Sequence, residues 1–147
     1  MRLNYYRDLL HGAVTDMTLC SGKFSDRLLI AWSGYIYKFR WDELEAWLMP
    51  EDLPVFNKLK RFMVDDLQAE IERKRREVLE QTRDAPRPLT NNQISKYVNA
   101  ETVIRAMGGK RAKKAVEAIV EMYRAVVQTV DYQAVAPIQT QDRGIER

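Results

Sequence analysis

Apolar residues return at steps of three and four along most of this chain, and each run of such steps predicts a helix. Leu3, Tyr6, Leu10, Ala13 and Met17 form one such face over about residues 3–19. Gly12 lies inside it and costs a helix about 1 kcal/mol relative to alanine, which allows a kink or an early end there. Cys20-Ser21-Gly22-Lys23 reads as a stop and loop. Trp41 to Met49 predicts a short helix facing inward with Leu44, Trp47 and Leu48. Asp42 and Glu43 sit in its first turn, where the helix dipole favours carboxylates, and Pro50 ends it. A long helix follows over about 52–83, with Asp52 at the N-cap and Pro54 in the first turn. Its stripe is Phe56, Leu59, Met63, Leu67 and Ile71, then Val78. Glu72-Arg73-Lys74-Arg75-Arg76-Glu77 interrupts that stripe with no apolar residue. The first half of the helix therefore faces a core, and the second half projects into solvent or toward a partner.

One stretch breaks the helical period. From Leu28 to Trp41 the large side chains alternate, with Tyr35, Tyr37, Phe39 and Trp41 at period two and Ser33-Gly34 between the halves. Alternation around a glycine predicts a β-hairpin over about 27–40. A two-residue turn would set Trp32 opposite Tyr35, Ile30 opposite Tyr37 and Leu28 opposite Phe39, all on one face. It would also set Arg27 opposite Arg40, a mildly unfavourable pair. An isolated hairpin is marginal in water, so helices must cover it. The expected class is α+β, predominantly helical, with one hairpin packed among about five or six helices.

Asp84-Ala85-Pro86-Arg87-Pro88 is the clearest break in the pattern, because two prolines in three residues end a helix and stiffen the connector. It divides the chain into an N-terminal helix, hairpin and long-helix domain (1–84) and a C-terminal helical subdomain (89–132). Thr90 with Gln93 has capping-box spacing for a short helix bearing Ile94, Tyr97 and Val98. Asn99 can start another through Val103, Ile104 and Met107, which Gly108-Gly109 stops. The last helix, from about Lys110 to Val130, carries Ala112, Val116, Ile119, Val120, Tyr123, Val126, Val127 and Val130. Residues 133–147, with Pro137 and a polar run, read as a loose tail.

Composition narrows the chemistry. The chain has 147 residues, enough for a substantial core. Cys20 is its single cysteine, which excludes an internal disulfide framework and a multi-cysteine metal site and fits a reducing compartment, most simply the cytoplasm. His11 is its single histidine, so a two-histidine metal site is excluded. There is no phosphate-cradling glycine loop. The carboxylate clusters read as helix-end charge or solvated helix faces. These absences point away from an enzyme, and no catalytic residue, cofactor or metal is expected. No apolar run reaches the roughly 18 residues of a membrane span, so a soluble protein is expected.

Charge is uneven. Residues 1–52, 53–84 and 85–147 carry net −2, +1 and +4. Arg105, Lys110, Arg111, Lys113 and Lys114 lie within residues 102–116, with no acidic residue in that window. Lys110 to Lys114 fall in the first turns of a helix, where the dipole disfavours cations and free N–H groups favour phosphate. An anion would offset that cost; the plainer reading is a solvated helix start. Asn92 to Arg105 resembles a DNA-binding helix-turn-helix, with Gln-Ile-Ser-Lys on its first helix and Thr-Val-Ile-Arg on its second. The interval from Ile94 to Val103 is about two residues short for that unit, and no glycine marks the turn. The resemblance implies that Ser95, Lys96 and Asn99 to Arg105 approach DNA while Lys110 to Lys114 hold phosphates. Arg73, Lys74, Arg75 and Arg76 are a second basic run, flanked by Glu70, Glu72, Glu77 and Glu80, and suited to a partner or simply to water. The expectation is a small non-enzymatic nucleic-acid-binding accessory or regulatory protein. The alternative is an adaptor or inhibitor that binds another protein through the hairpin or the charged long helix. A hairpin with two half-apolar faces and free edges would also suit pairing with a second chain, as a dimer or a protein-binding surface.

Overall fold

A computed structural model describes residues 2–145, with side-chain surroundings described for residues 3–134. The elements in order are α1 (Arg2–Leu19), α2 (Phe24–Gly34), a 3-10 turn (Ile36–Lys38), α3 (Trp41–Trp47) and a second 3-10 turn (Pro50–Asp52). Then come α4 (Leu53–Lys60), a π-helical segment (Arg61–Asp66), α5 (Leu67–Thr82), α6 (Asn91–Tyr97), α7 (Ala100–Arg105) and α8 (Gly109–Ile145). About 83% of the chain is helical and no strand occurs among the described residues. The class is all-α, which corrects the α+β expectation.

The hairpin expected over 27–40 is absent. Phe24–Gly34 is helix α2, and the 3-10 turn follows it. The reason lies in a double periodicity: Leu28, Ala31, Trp32 and Tyr35 also stand at i, i+3, i+4 and i+7, one helical face. As a helix the segment meets its own backbone hydrogen bonds and offers that face to α1, α7 and α8, which all pack on it. A lone hairpin would have had no third strand. The period-two aromatics are used differently. Beyond Gly34 the 3-10 turn buries Ile36 and Phe39 and leaves Tyr37 and Lys38 outside. Phe39 meets Tyr6 edge-on at 5.5 Å and Trp41 at 5.2 Å, and Trp41 meets Phe56 at 5.9 Å. This aromatic chain ties α1, the loop, α3 and α4 together. The Tyr6 hydroxyl closes it, 3.3 Å from the Arg40 carbonyl and 3.2 Å from Glu43 Oε1.

Helix α8 sits at the centre and packs on α1, α2 and α4. Its buried side chains are Ala112, Ala115, Val116, Ala118, Ile119, Met122, Ala125, Val126, Thr129 and Val130. They cover more of its circumference than the predicted stripe does, and the four alanines let neighbouring helices approach closely. Residues on both sides of the Pro86–Pro88 break belong to one hydrophobic cluster, so the break interrupts the chain without dividing the core. One polar link crosses that core: the Thr129 hydroxyl lies 3.1 Å from Asp52 Oδ2 and 2.9 Å from the Ala125 carbonyl. The backbone of α8 remains helical through residues 133–145, the stretch expected as a loose tail. Glu146 and Arg147 lie outside the described residues.

The long helix expected over 52–83 runs from Leu53 to Thr82 with the π-helical segment in its middle. Its stripe explains that segment. Leu59, Met63, Leu67 and Ile71 are four residues apart and all buried. On an ideal α-helix each such step drifts by about 40°, or about 120° over three steps. A wider turn at Arg61–Asp66 takes up part of that drift and keeps the four side chains on one face. In α1, Gly12 neither kinks nor ends the helix; a Cβ there would lie 2.3 Å from Tyr35 Cε1. The glycine makes room for the Tyr35 ring, whose hydroxyl donates to Asp16 Oδ2 at 2.5 Å.

Candidate nucleic-acid interface

The basic cluster of residues 105–114 is placed by a tight junction between two helices. Asn99 caps α7 by accepting from the Thr102 N–H at 3.1 Å, while the Thr102 hydroxyl accepts from the Asn99 N–H at 3.0 Å. The Asn99 amide also donates back to the Ser95 carbonyl at 3.2 Å. Val103 and Ile104 anchor the short helix in the core. Gly108 and Gly109 then carry the chain into α8, whose first bond runs from the Ala112 N–H to the Gly108 carbonyl at 2.9 Å. Gly108, just before that start, has no side chain with which to cap it, and the first turn holds no acidic residue.

The cations of the cluster differ in their surroundings. Arg105 is engaged by Glu101 at 2.7 Å, one turn before it on α7. Arg111 is partly buried near the start of α5 and contributes to holding the Glu70 carboxyl below its usual range, after the larger effect of the hydrogen bond from Arg73. Lys113 places Nζ 5.9 Å from the centre of the Phe24 ring. Lys96, Lys110, Lys113 and Lys114 are exposed and make no ion pair among the described residues.

The helix-turn-helix geometry is less favourable than its sequence. Helix α7 has six residues, a rise of about 9 Å. Its apolar side is buried beneath α2 and α5. Of the residues that the resemblance would point at DNA, Ser95 donates to the Asn91 carbonyl within α6, and Asn99 and Thr102 spend their hydrogen bonds in the turn. What remains outward on α7 is Glu101 paired with Arg105.

The second basic run also separates into distinct roles. Arg73 pairs with Glu70 at 2.6 Å and with Glu77. Arg75 donates from Nε to the Val98 carbonyl at 2.9 Å and so ties α5 to the turn between α6 and α7. Lys74 is partly buried, and Arg76 is exposed with no ion pair or hydrogen bond among the described residues. The half of the long helix expected to project is thus partly covered by α6 and α7.

His11 and Cys20 do not meet. His11 Nδ1 lies 2.9 Å from the Tyr123 hydroxyl, joining α1 to α8, and Cys20 Sγ accepts from the Gly22 N–H at 3.4 Å. No group of three or more His, Cys, Asp or Glu residues forms a potential metal site among the described residues. No helix among them is long and apolar enough to cross a membrane.

Sequence reasoning gave Phe24 no role and placed Arg27 only opposite Arg40 in the expected hairpin. Arg27 lies with its Cζ 5.6 Å from the Phe24 ring centre, so it and Lys113 both approach the same aromatic ring. The available signal was the spacing of Phe24 and Arg27, three residues apart, which places them together only if 24–34 is read as a helix. Comparison with protein-family models, with curated proteins and with solved structures returned no match.

Proposed function

We propose that this is a small non-enzymatic nucleic-acid-binding accessory protein that contacts phosphates through the start of α8. The observation that carries the reading is the placement of Lys110, Arg111, Lys113 and Lys114 on the first two turns of a helix that has no acidic residue in its first turn and is preceded by Gly108, which has no side chain to cap it. Cations there oppose the helix dipole, and a phosphate on the free N–H groups would offset both costs. Lys96 extends the basic surface from α6. Arg105, already paired with Glu101, contributes less. Backbone contact of this kind gives affinity with little sequence preference.

The test is binding to duplex and single-stranded DNA pools across salt, for the wild type and for a variant with Lys110, Arg111, Lys113 and Lys114 changed to Ala. Each lost phosphate contact should flatten the salt slope by about 0.9 on duplex. Loss of the slope in a variant that keeps its helical circular dichroism supports the reading. Equal behaviour of the two proteins, or no binding by either, refutes it.

A second reading is a non-catalytic adaptor that engages an acidic segment with an apolar anchor at the end of α5. It rests on a groove of about 320 Å³ lined by Leu79, Glu80, Thr82, Arg83, Pro88 and Leu89, in which Arg83 is offset by one carboxylate, with Arg76 exposed one turn away. One-to-one association with a protein that persists at high salt, and that Leu79→Ser abolishes, would favour it over the first reading.

A further inference from the structure

Apart from the phosphate reading, a small groove lies between α1, α2 and α8. Val14, Met17 and Thr18 form one wall, Val116 and Val120 another, and Arg27 lines it from α2. Its volume is about 180 Å³. The walls are apolar apart from Arg27 and Thr18, and the Thr18 hydroxyl is already donated to the Val14 carbonyl at 2.8 Å. We propose that this groove binds a small aliphatic carboxylate, with its tail between the α1 and α8 walls and its head at Arg27 and Lys113.

Three features converge on that ligand. Lys113, Val116 and Val120 stand at i, i+3 and i+7, so Lys113 continues the α8 wall by one turn. Arg27 lines the groove, and it and Lys113 each approach the Phe24 ring beside it, at 5.6 and 5.9 Å. Neither makes an ion pair among the described residues, and Arg27 Nε is shut off from solvent with no acceptor. Two like charges beside one ring repel each other, and a buried unsatisfied donor is costly. A single carboxylate answers both, because guanidinium and carboxylate match in shape and charge. Size sets the tail: at roughly 30 Å³ for each water-sized group, the groove takes a chain of about six carbons.

The experiment titrates the protein with hexanoate, 1-hexanol and hexylamine, following the Val14, Met17, Val116 and Val120 methyl signals by NMR. Hexanoate should shift these methyls saturably, with the alcohol and the amine at least about tenfold weaker. Arg27→Met should weaken hexanoate about tenfold and leave the alcohol unchanged. Val120→Phe, which fills the groove, should abolish both. If Arg27→Met does not fold, Lys113→Met and Val120→Phe make the same comparison. Equal affinity for acid and alcohol, no saturable shift at these methyls, or wild-type hexanoate binding by the charge-removing variant overturns the proposal.

Discussion

Gly12→Ala separates local propensity from tertiary packing, because the two predict opposite signs. Propensity alone predicts a gain of about 1 kcal/mol at a mid-helix position. Packing predicts a loss. The new methyl would sit 2.3 Å from Tyr35 Cε1, 2.8 Å from Cζ and 3.1 Å from Cδ1. Carbon atoms prefer about 3.5–4.0 Å, so the ring must retreat by more than about 1 Å. It is not free to swing, since its hydroxyl is held by Asp16. Overpacking of this kind costs about 1–3 kcal/mol, and weakening a partly exposed bond to a carboxylate adds about 1 kcal/mol. After the propensity gain, the net loss is about 1–3 kcal/mol. That lowers Tm by roughly 3–9 °C for a domain of this size. Urea and thermal unfolding followed by circular dichroism measure it. The bond to Asp16 holds the Tyr35 hydroxyl above its usual range, so its titration should move down in the variant. In a Tyr35→Leu background the obstacle is gone, and Gly12→Ala should stabilise. A rise in Tm in the wild-type background, or equal losses in both backgrounds, would refute the packing argument.

Thr129→Val removes the hydroxyl beside buried Asp52 and should cost about 2 kcal/mol in urea unfolding, whereas Thr129→Ser, which keeps the hydroxyl, should cost less. Arg75→Met should raise hydrogen exchange across α6 and α7 and destabilise by about 1.5 kcal/mol, while Arg76→Met, at an exposed position without a partner among the described residues, should do neither. Glu70 has its carboxyl depressed chiefly by the hydrogen bond from Arg73, so its contribution is present above the ordinary value of 4.5 and is lost as pH falls through the folded value. The pair is partly solvated, so Glu70→Gln should remove less than about 1 kcal/mol at neutral pH and flatten the acid limb of the stability profile.

The elements that sequence made legible are those whose signals are local. The α1 stripe, the acidic start of α3, the proline at the start of α4 and the capping box of Thr90 with Gln93 each depend on residues within one or two turns. Residues 24–41 carry both a helical and a strand period, and the choice between them is made by α1, α7 and α8, which are distant in sequence. The candidate site divides the same way. Its charges are plain in the sequence, and so is Glu101, four residues before Arg105, a pairing that spacing alone reveals. The use of Arg75 is not, because its acceptor is a backbone carbonyl 23 positions away. Nor is the nearness of Arg27 to Lys113, which requires α2 and α8 to be packed first.

The central position of α8 also sets a timetable. During synthesis, α1 emerges about a hundred residues before the helix it packs against. At roughly 5–20 residues per second, that is a wait of about 5–20 s. Throughout it, the buried residues of α1, α2 and α4, such as Leu3, Leu28 and Phe56, lack the share of their cover that α8 provides. Local helices can form in microseconds, but the core cannot close until the stretch from Ala112 to Val130 is released. A ribosome paused before Gly109 therefore displays a polypeptide that is helical in parts, with apolar segments exposed and its core unclosed.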